Sequence, residues 1–571
     1  MNPSPLSILK SHWGYDSFRG IQSDIIGSIL AGRDTVGLMP TGGGKSICFQ
    51  VPALCMEGVC IVVTPLIALM KDQVAHLKAN GILATCVHSG LSRAEVLREL
   101  DNCILGNNKF LYLSPERLET RLFLEKLKRI KVSFIAIDEA HCISQWGYDF
   151  RPSYLRLKEL RKLLPDTPVL ALTATATLDV LDDIQNQLGF KERNVFRMSF
   201  ERKNLAYIVQ NVTNKYAALL KLLNENAGCA IVYTRNRAGT RETAEWLKEQ
   251  GISAHYYHAG LKNLDKDMKQ RQWTDDEVRV MVATNAFGMG IDKPDVRLVV
   301  HLEMPDSIEA YFQEAGRAGR DGKEAKCVLL HQKNDDSMML RRVSQEFPPK
   351  EFICQIYNEI AYFLQVPAYE GEGHRYEFNL GLFCKNFRHF PVPVESALHI
   401  LTREGYIEYA NEDENNSRLM MLLQRDELYH LNNLSYVEDK VMQAVLRLYS
   451  GLFSEYVGVN EDDIAHLAGY TREEVYDTLK SLTRQRILNY VPAKDMPHII
   501  YTRAREPEDR VALSAEIYEN RLKTYENRLR SIVEYATETD VCRSRYLLRY
   551  FADDAAEKVD NCGKCDLCLN H

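Results

Sequence analysis

No run of apolar residues in this 571-residue chain is long enough to cross a bilayer. A transmembrane helix is therefore not expected. The N-terminus, MNPSPLSILKSHWGYDSF, lacks a basic segment followed by a long apolar run, so a signal peptide is not expected either. Positive charge is not in excess. Lys and Arg total 71 against 78 Asp and Glu, a formal net charge of -7. That excludes a wholly basic nucleic-acid coat but leaves room for a local basic groove, because binding is set by the charge on one face. What remains is the make-up of an ordinary soluble protein, 45% hydrophobic and 26% charged, with enough chain for three to five domains.

The fourteen cysteines form two populations. Ten are scattered through largely apolar surroundings (Cys48, Cys55, Cys60, Cys86, Cys103, Cys142, Cys229, Cys327, Cys354 and Cys384), as expected of reduced, mostly buried thiols in a cytoplasmic protein. The other four crowd into the last thirty residues. In CRSRYLLRYFADDAAEKVDNCGKCDLC, Cys562, Cys565 and Cys568 follow a C-x2-C-x2-C spacing and Cys542 lies twenty positions upstream. Four thiolates so spaced predict a closed, structural zinc site. Two disulfides are the alternative; the absent signal and the ten other cysteines argue against them.

Short apolar runs recur through residues 1–200: DTVGLM, CIVVTP, KFLYLSP, SFIAIDEA and PVLALTATAT, with amphipathic segments between them. Runs too short for helices, alternating with helical patterns, predict an α/β unit with a parallel sheet. In such sheets ligands gather beyond the carboxyl ends of the strands. Here those ends read Thr41–Ser46, Thr64–Pro65, Ser114–Pro115, Asp138–Glu139 and Thr173–Thr175. A second series, GCAIVYTR, SAHYYHAG, VRVMVATNAFGMGID, VRLVVHLE and KCVLLH, predicts another α/β unit over about 201–345.

MPTGGGKS, Met39 to Ser46, follows one strand and opens a helix. Gly42, Gly43 and Gly44 let successive backbone N–H groups face a phosphate at a helix N-terminus, with Pro40 and Thr41 in the same loop. Lys45 is placed to reach the β- and γ-phosphates of ATP and Ser46 to hold Mg²⁺. The strict pattern wants glycine where this chain has Met39. Asp138 closes the strand SFIAID and is the expected Mg²⁺-binding acid. Glu139 is the candidate base for the attacking water. A metal reading of His141 and Cys142 fails for want of further ligands at metal spacing. In YFQEAGRAGRDG, Arg317 and Arg320 stand three apart and are placed to meet developing charge on the γ-phosphate, with Gln313 just before them.

DEAHCISQWGYDFRPSY then sets Trp146, Tyr148, Phe150 and Arg151 directly behind the acidic pair. Aromatic rings stack on bases irrespective of sequence and arginine adds phosphate or cation–π contact. The alternative is a small hydrophobic plug between domains. Thr64 also carries two readings, an N-cap with Pro65 at the first helical position or a DNA-phosphate contact.

Taken in order, GYDSFRGIQ, MPTGGGKS, TPLIALMKDQ, YLSPER, DEAHCISQWGYDFRPSY, LTATAT, VYTRNR, ATNAFGMGIDKPDVR and QEAGRAGRDG resemble the motifs of superfamily-2 helicases and, within them, the RecQ family. The resemblance runs over residues 8–335 and returns in the last thirty. It implies two tandem RecA-like motor domains. Tyr15 and Arg19 would sandwich adenine, Gln22 would bond its edge, and Asp292 would bind the nucleotide. It also implies that the aromatic loop senses single-stranded DNA, and it tips Thr64 towards DNA. The implied activity is ATP-dependent DNA unwinding in repair and recombination, loading on a 3′ tail and moving 3′ to 5′. The implied partners are single-stranded and forked duplex DNA, with single-stranded-DNA-binding and repair proteins as candidates, and the motor is expected to be monomeric.

The chain departs from the family by placing roughly two hundred residues between the second motor domain and the cysteines. In PVESALHILTREGYIEYA, Val394, Ala397, Leu398 and Leu401 share a helical face, followed by Gly405 and a strand. EDDIAHLAGYTREEVYDTLKSLTRQRILNYVPAKDMPHIIYTR predicts helix, turn, helix and hairpin, with a Thr471–Glu474 capping box and the hairpin tip at Pro492–Pro497. That is a winged-helix pattern. It suits duplex DNA through Arg484, Arg486 and Lys494, or a protein partner. Tyr518, Leu522, Tyr525, Leu529 and Ile532 form a seven-residue seam expected to pack on the helix after Cys542. The chain ends three residues after Cys568, so the helical accessory domain common at the family's C-terminus is not expected. The expected domains are 1–200, 201–345, 346–505 (helical and winged-helix-like) and 506–571 (helical hairpin and zinc-binding).

Overall fold

The computed structural model describes residues 3–569 except 89–90, 92, 107, 145–146, 148–150, 262, 289–292, 411–416, 424–426, 428–433, 450–451, 454–456, 493–496, 508–509 and 559–560. Runs such as VCIVV (Val59–Val63) are buried along their whole length, the signature of strands covered on both faces. Seven such strands build the first sheet: β1 Thr35–Leu38, β2 Val59–Val63, β3 Ala84–Val87, β4 Phe110–Leu113, β5 Val132–Ile137, β6 Val169–Thr173 and β7 Val195–Arg197. Their order is β3-β4-β2-β5-β6-β1-β7, every pairing parallel. The second sheet uses β8 Leu205–Asn211, β9 Ala230–Tyr233, β10 Ala254–Tyr257, β11 Val280–Ala283, β12 Leu298–His301 and β13 Ala325–His331. It runs β10-β11-β9-β12-β13-β8, again parallel.

The chain forms two compact units. One combines Met1–Ser89, Glu99–Leu340 and Thr524–His571, so both sheets and the cysteine-bearing tail belong together. The other holds Gly90–Arg98 and Arg341–Lys523. Among the described residues no helix is long and apolar enough to cross a membrane.

The second unit contains two modules of one pattern. In the first, helix Lys350–Phe363 precedes β14 Arg375–Glu377, helices Leu380–Phe387 and Pro391–Arg403, and β15 Ile407–Ala410. Val394, Ala397, Leu398 and Leu401 are fully buried, as their spacing predicts. The second module has β16 Ser417–Met421, helix Tyr436–Leu448, β17 Val457–Val459, helices Glu461–Ala468 and Arg472–Arg484, and β18 Leu488–Val491. The Thr471–Glu474 capping box forms in full. The predicted hairpin does not. β18 pairs with β16, whereas β19 His498–Tyr501 pairs with β14 and β15. The second module is thus inserted between β15 and β19, the two strands that would make the wing of the first.

Candidate nucleotide and nucleic-acid site

The loop Pro40–Gly44 leaves β1 and enters helix Lys45–Cys55, whose first turn carries no acidic residue. Gly42 and Gly44 have φ of 82° and 77°, a region that side chains with a Cβ enter only at a cost. Gly43 could not be larger, since a Cβ there would lie 2.9 Å from the Pro40 carbonyl oxygen. Met39, the departure from the strict motif, is completely buried and its sulfur lies 3.5 Å from Cys48 Sγ. Its side chain faces the core rather than the phosphate side, which accounts for its tolerance. Lys45 and Ser46 follow, half-buried, in the first helical turn.

Tyr15, 47% exposed, faces Arg19, the guanidinium carbon 5.4 Å from the ring centroid. A base between them would have to part them. Gln22 is buried and its side chain is fully engaged: Nε2 donates to the carbonyls of Gly43 (3.2 Å) and Gly44 (3.1 Å), and Oε1 accepts from Arg19 N at 2.9 Å. In this state Gln22 holds the phosphate loop, a role the sequence did not reveal.

Asp138 and Glu139 close β5 at the same sheet edge. Glu139 turns with the loop in a left-handed conformation, φ 49°, and its N–H donates to Asp138 Oδ1 at 3.0 Å. Its carboxylate approaches Lys45, Nζ to Oε1 3.5 Å. Burial, then the neighbouring Glu139 charge, pushes the Asp138 carboxyl up to about 6. Burial acts the same way on Glu139, but Lys45, His141 and Arg317 outweigh it and hold that carboxyl below its ordinary range. The second oxygen of Glu139 is buried, makes no hydrogen bond among the described residues and lies 3.5 Å from His141 Nδ1. His141 reaches Thr173 Oγ1 at 2.9 Å and joins no metal cluster among the described residues.

The second sheet delivers the arginines. Helix Ile308–Ala315 carries Gln313, and the turn after it carries Arg317 and Arg320. Arg317 is 3% exposed, donates to the Gly288 carbonyl and adds its charge to the field on Glu139. A Cβ on Gly316 would lie 3.5 Å from Thr41 Oγ1, and one on Gly42 would lie 3.7 Å from Arg320 Cγ. The glycine loop and the arginine turn therefore face each other at close range. Asp292 lies outside the described residues.

Thr64 is not an N-cap. The helix after β2 is Ile67–Ala79 with Leu66 at its cap, displaced because Thr64 N still bonds the strand-side Leu113 carbonyl (3.2 Å). Its hydroxyl is buried without a hydrogen-bond partner among the described residues. Ser114 and Thr234, at the ends of β4 and β9, leave buried hydroxyls in the same condition. Ser114 stands among the strand ends read from the sequence, without an assigned role, whereas Thr234 was not named there; its strand-end position was the available signal. Arg151 Nη1 donates to the Pro65 carbonyl at 3.4 Å, and Tyr154 donates to the Asp138 carbonyl at 3.1 Å. Arg151 is thus tied to the Thr64 segment and Tyr154 to the end of β5. Trp146, Tyr148 and Phe150 lie outside the described residues.

In the tail, ligand atoms of Cys542, Cys562, Cys565 and Cys568 all lie within 4.8 Å of one another. The backbone N–H groups of Cys562, Cys565 and Cys568 each approach a cysteine sulfur at 3.4 Å. Four sulfurs converging within 4.8 Å fit a zinc ion held by thiolates.

Residues 19–184 match the DEAD/DEAH box helicase model and 214–322 the helicase conserved C-terminal domain. Residues 419–492 match the RecQ helicase winged-helix domain of Bacteroidota, and 507–569 the RecQ zinc-binding domain. The probable ATP-dependent DNA helicase RecS of Bacillus subtilis is 43% identical over 353 residues, 61% of this chain and 71% of that protein. The chain belongs to the RecQ helicase family. The ATP-dependent DNA helicase RecQ of Haemophilus influenzae is 44% identical over 334 residues, 58% of this chain. The chain spans about half the length of that RecQ relative, 54%. The crystal structure of the DUF1998 helicase MrfA bound to DNA superposes with a TM-score of 0.51 at 19% identity, over 71% of this chain and 58% of that one, and shares the fold. Within the RecQ family match, the winged-helix model, residues 419–492, falls on the second module, β16 to β18.

Proposed function

We propose that this protein is an ATP-hydrolysing DNA helicase that moves 3′ to 5′ on single-stranded DNA and opens duplexes. The observation that carries the reading is the composite site in which Lys45 meets Glu139, Arg317 adds its charge to the field on Glu139, and Arg320 comes against the glycine loop. Lys45 neutralises phosphate charge. Glu139, kept ionised by its cationic neighbours, accepts the proton of the attacking water. Arg317 and Arg320 stabilise charge that develops on the transferred phosphoryl group, a contribution worth ~10³–10⁵ in rate in related sites. Ser46 and Asp138 would hold Mg²⁺, which supplies neutralisation of the β- and γ-phosphate oxygens.

DNA coupling is assigned to Trp146, Tyr148, Phe150 and Arg151. Arg151 and Tyr154 support it, because they bond the Thr64 segment and the strand of the acidic pair. Forked duplexes, single-stranded-DNA-binding and repair proteins as partners, a monomeric motor and work on the chromosome in the cytoplasm complete the proposal on family resemblance. The test is ATP hydrolysis without nucleic acid, with single-stranded DNA, and with single-stranded RNA of equal length. Stimulation by DNA alone is expected. Stimulation by RNA, or by neither, overturns the assignment.

A further inference from the structure

We propose that the zinc-binding tail positions the arginines of the nucleotide site through two tyrosine hydroxyls, those of Tyr535 and Tyr550. The inference rests on the reading of Arg317 and Arg320 as groups that meet the transition state.

Helix Ile308–Ala315 has only eight residues, and seven of them are buried. A helix so short has little intrinsic stability, so its place and rotation are set by what packs on it. The tail supplies two polar fixings. Tyr550 Oη donates to Glu309 Oε1 at 2.9 Å, and Tyr535 Oη donates to Tyr311 Oη at 3.3 Å, with those two rings 5.1 Å apart. Phe551 adds a ring contact to Phe312 at 5.1 Å. Apolar contact alone would permit the helix to slide or roll. Hydrogen bonds at two positions two residues apart fix both motions.

Both ends of this linkage are anchored. Arg543, the residue after Cys542, donates to the Tyr535 carbonyl, and its Nη2 donates at 2.9 Å to Oδ2 of Asp566, the residue after Cys565. Asp566 in turn accepts from Val209 N on β8 at 3.2 Å. At the catalytic end, His301 packs against Tyr311 (4.9 Å) and pairs with Glu314 at 2.9 Å. Arg317 follows Glu314 by three positions. Neither tyrosine belongs to the nucleotide site described above, so both are positioning residues.

The test uses the full chain with Tyr535→Phe and Tyr550→Phe together, which removes two hydroxyls and keeps both rings. Zinc content, the KM for ATP and the kcat of DNA-stimulated hydrolysis are measured, with affinity for ADP–aluminium fluoride beside that for a non-hydrolysable ATP analogue. Expected is full zinc, an unchanged KM, a kcat lower by about tenfold or more, and a similar loss for ADP–aluminium fluoride alone, since only interactions made in the transition state are weakened. In an Arg317→Ala background the two changes should add nothing. Unchanged kcat and analogue affinity overturn the proposal, and so does a loss fully additive with Arg317→Ala, which marks general damage. If the wild type hydrolyses no ATP, the functional reading fails, while the two analogue affinities still report whether the tail positions the arginines.

Discussion

Gly44→Ala tests how the phosphate loop is held. The residue sits at φ 77°, and a Cβ there would lie 2.4 Å from Gln22 Nε2. The left-handed backbone costs an alanine about 1–2 kcal/mol. Displacing Gln22 forfeits its bonds to the Gly43 and Gly44 carbonyls, about 0.5–1.5 kcal/mol each. The sum, about 2–5 kcal/mol, weakens phosphate binding by roughly 30- to 5,000-fold if it falls on the binding-competent loop. The two contributions separate in a double-mutant cycle. Gln22→Ala alone loses only the bonds; once residue 44 is alanine the bonds are already gone, so adding Gln22→Ala should cost nothing more. Titrations with ATP and with inorganic tripolyphosphate distinguish this from adenine recognition, because tripolyphosphate has no base. Equal losses for both ligands in Gln22→Ala mean that Gln22 acts on the loop, and a loss for ATP alone means that it reads adenine. Strict additivity of the two substitutions for tripolyphosphate would refute the bracing argument.

Glu139→Gln should bind ATP normally and turn over ~10²–10⁴-fold more slowly in single-turnover assays; wild-type turnover would remove Glu139 from proton transfer. Trp146→Ala should retain basal hydrolysis and lose its stimulation by single-stranded DNA, because stacking worth ~1–3 kcal/mol per base is withdrawn from the coupling loop. Equal stimulation in variant and wild type would refute that role. Cys565→Ser, or prolonged chelation of the wild type, should lower zinc content and melting temperature together, since metal binding and folding of the tail are one free energy. A zinc-free wild type of equal stability would end the metal assignment.

The chemistry was legible because its signals are local. A glycine loop between strand and helix, an acidic pair at a strand end and cysteines at fixed spacing each announce themselves within a few residues. What escaped the sequence was set by distant partners. The role of Gln22 depends on carbonyls some twenty positions later. Thr64 carries the residue type and the following proline of a helix start, but its backbone remains in register with β4, which moves the cap to Leu66. Propensity offered a cap, and sheet pairing decided against it.

The winged-helix region makes the same point on a larger scale and bears on its function. Its helices were readable from their 3.6-residue burial pattern and capping box, yet the strand after them was assigned to the wrong partner. The centre of each three-stranded sheet comes from outside the contiguous pattern: β16 precedes its own helices, and β19 returns only after the entire second module. One module therefore occupies the wing position of the other, and β18 and β19 do not pair as the hairpin expected to serve as a wing. The charge on the second module narrows the matter further. Helix Glu461–Ala468 opens with three acidic residues, and helix Arg472–Arg484 carries Glu473 and Glu474 in its first turn. Carboxylates at a helix N-terminus suit the helix dipole but repel phosphate. If this module meets duplex DNA, it must do so with the opposite end of the helix, where Arg484 and Arg486 are exposed, rather than with the N-terminal turn that helix-turn-helix proteins lay against base edges.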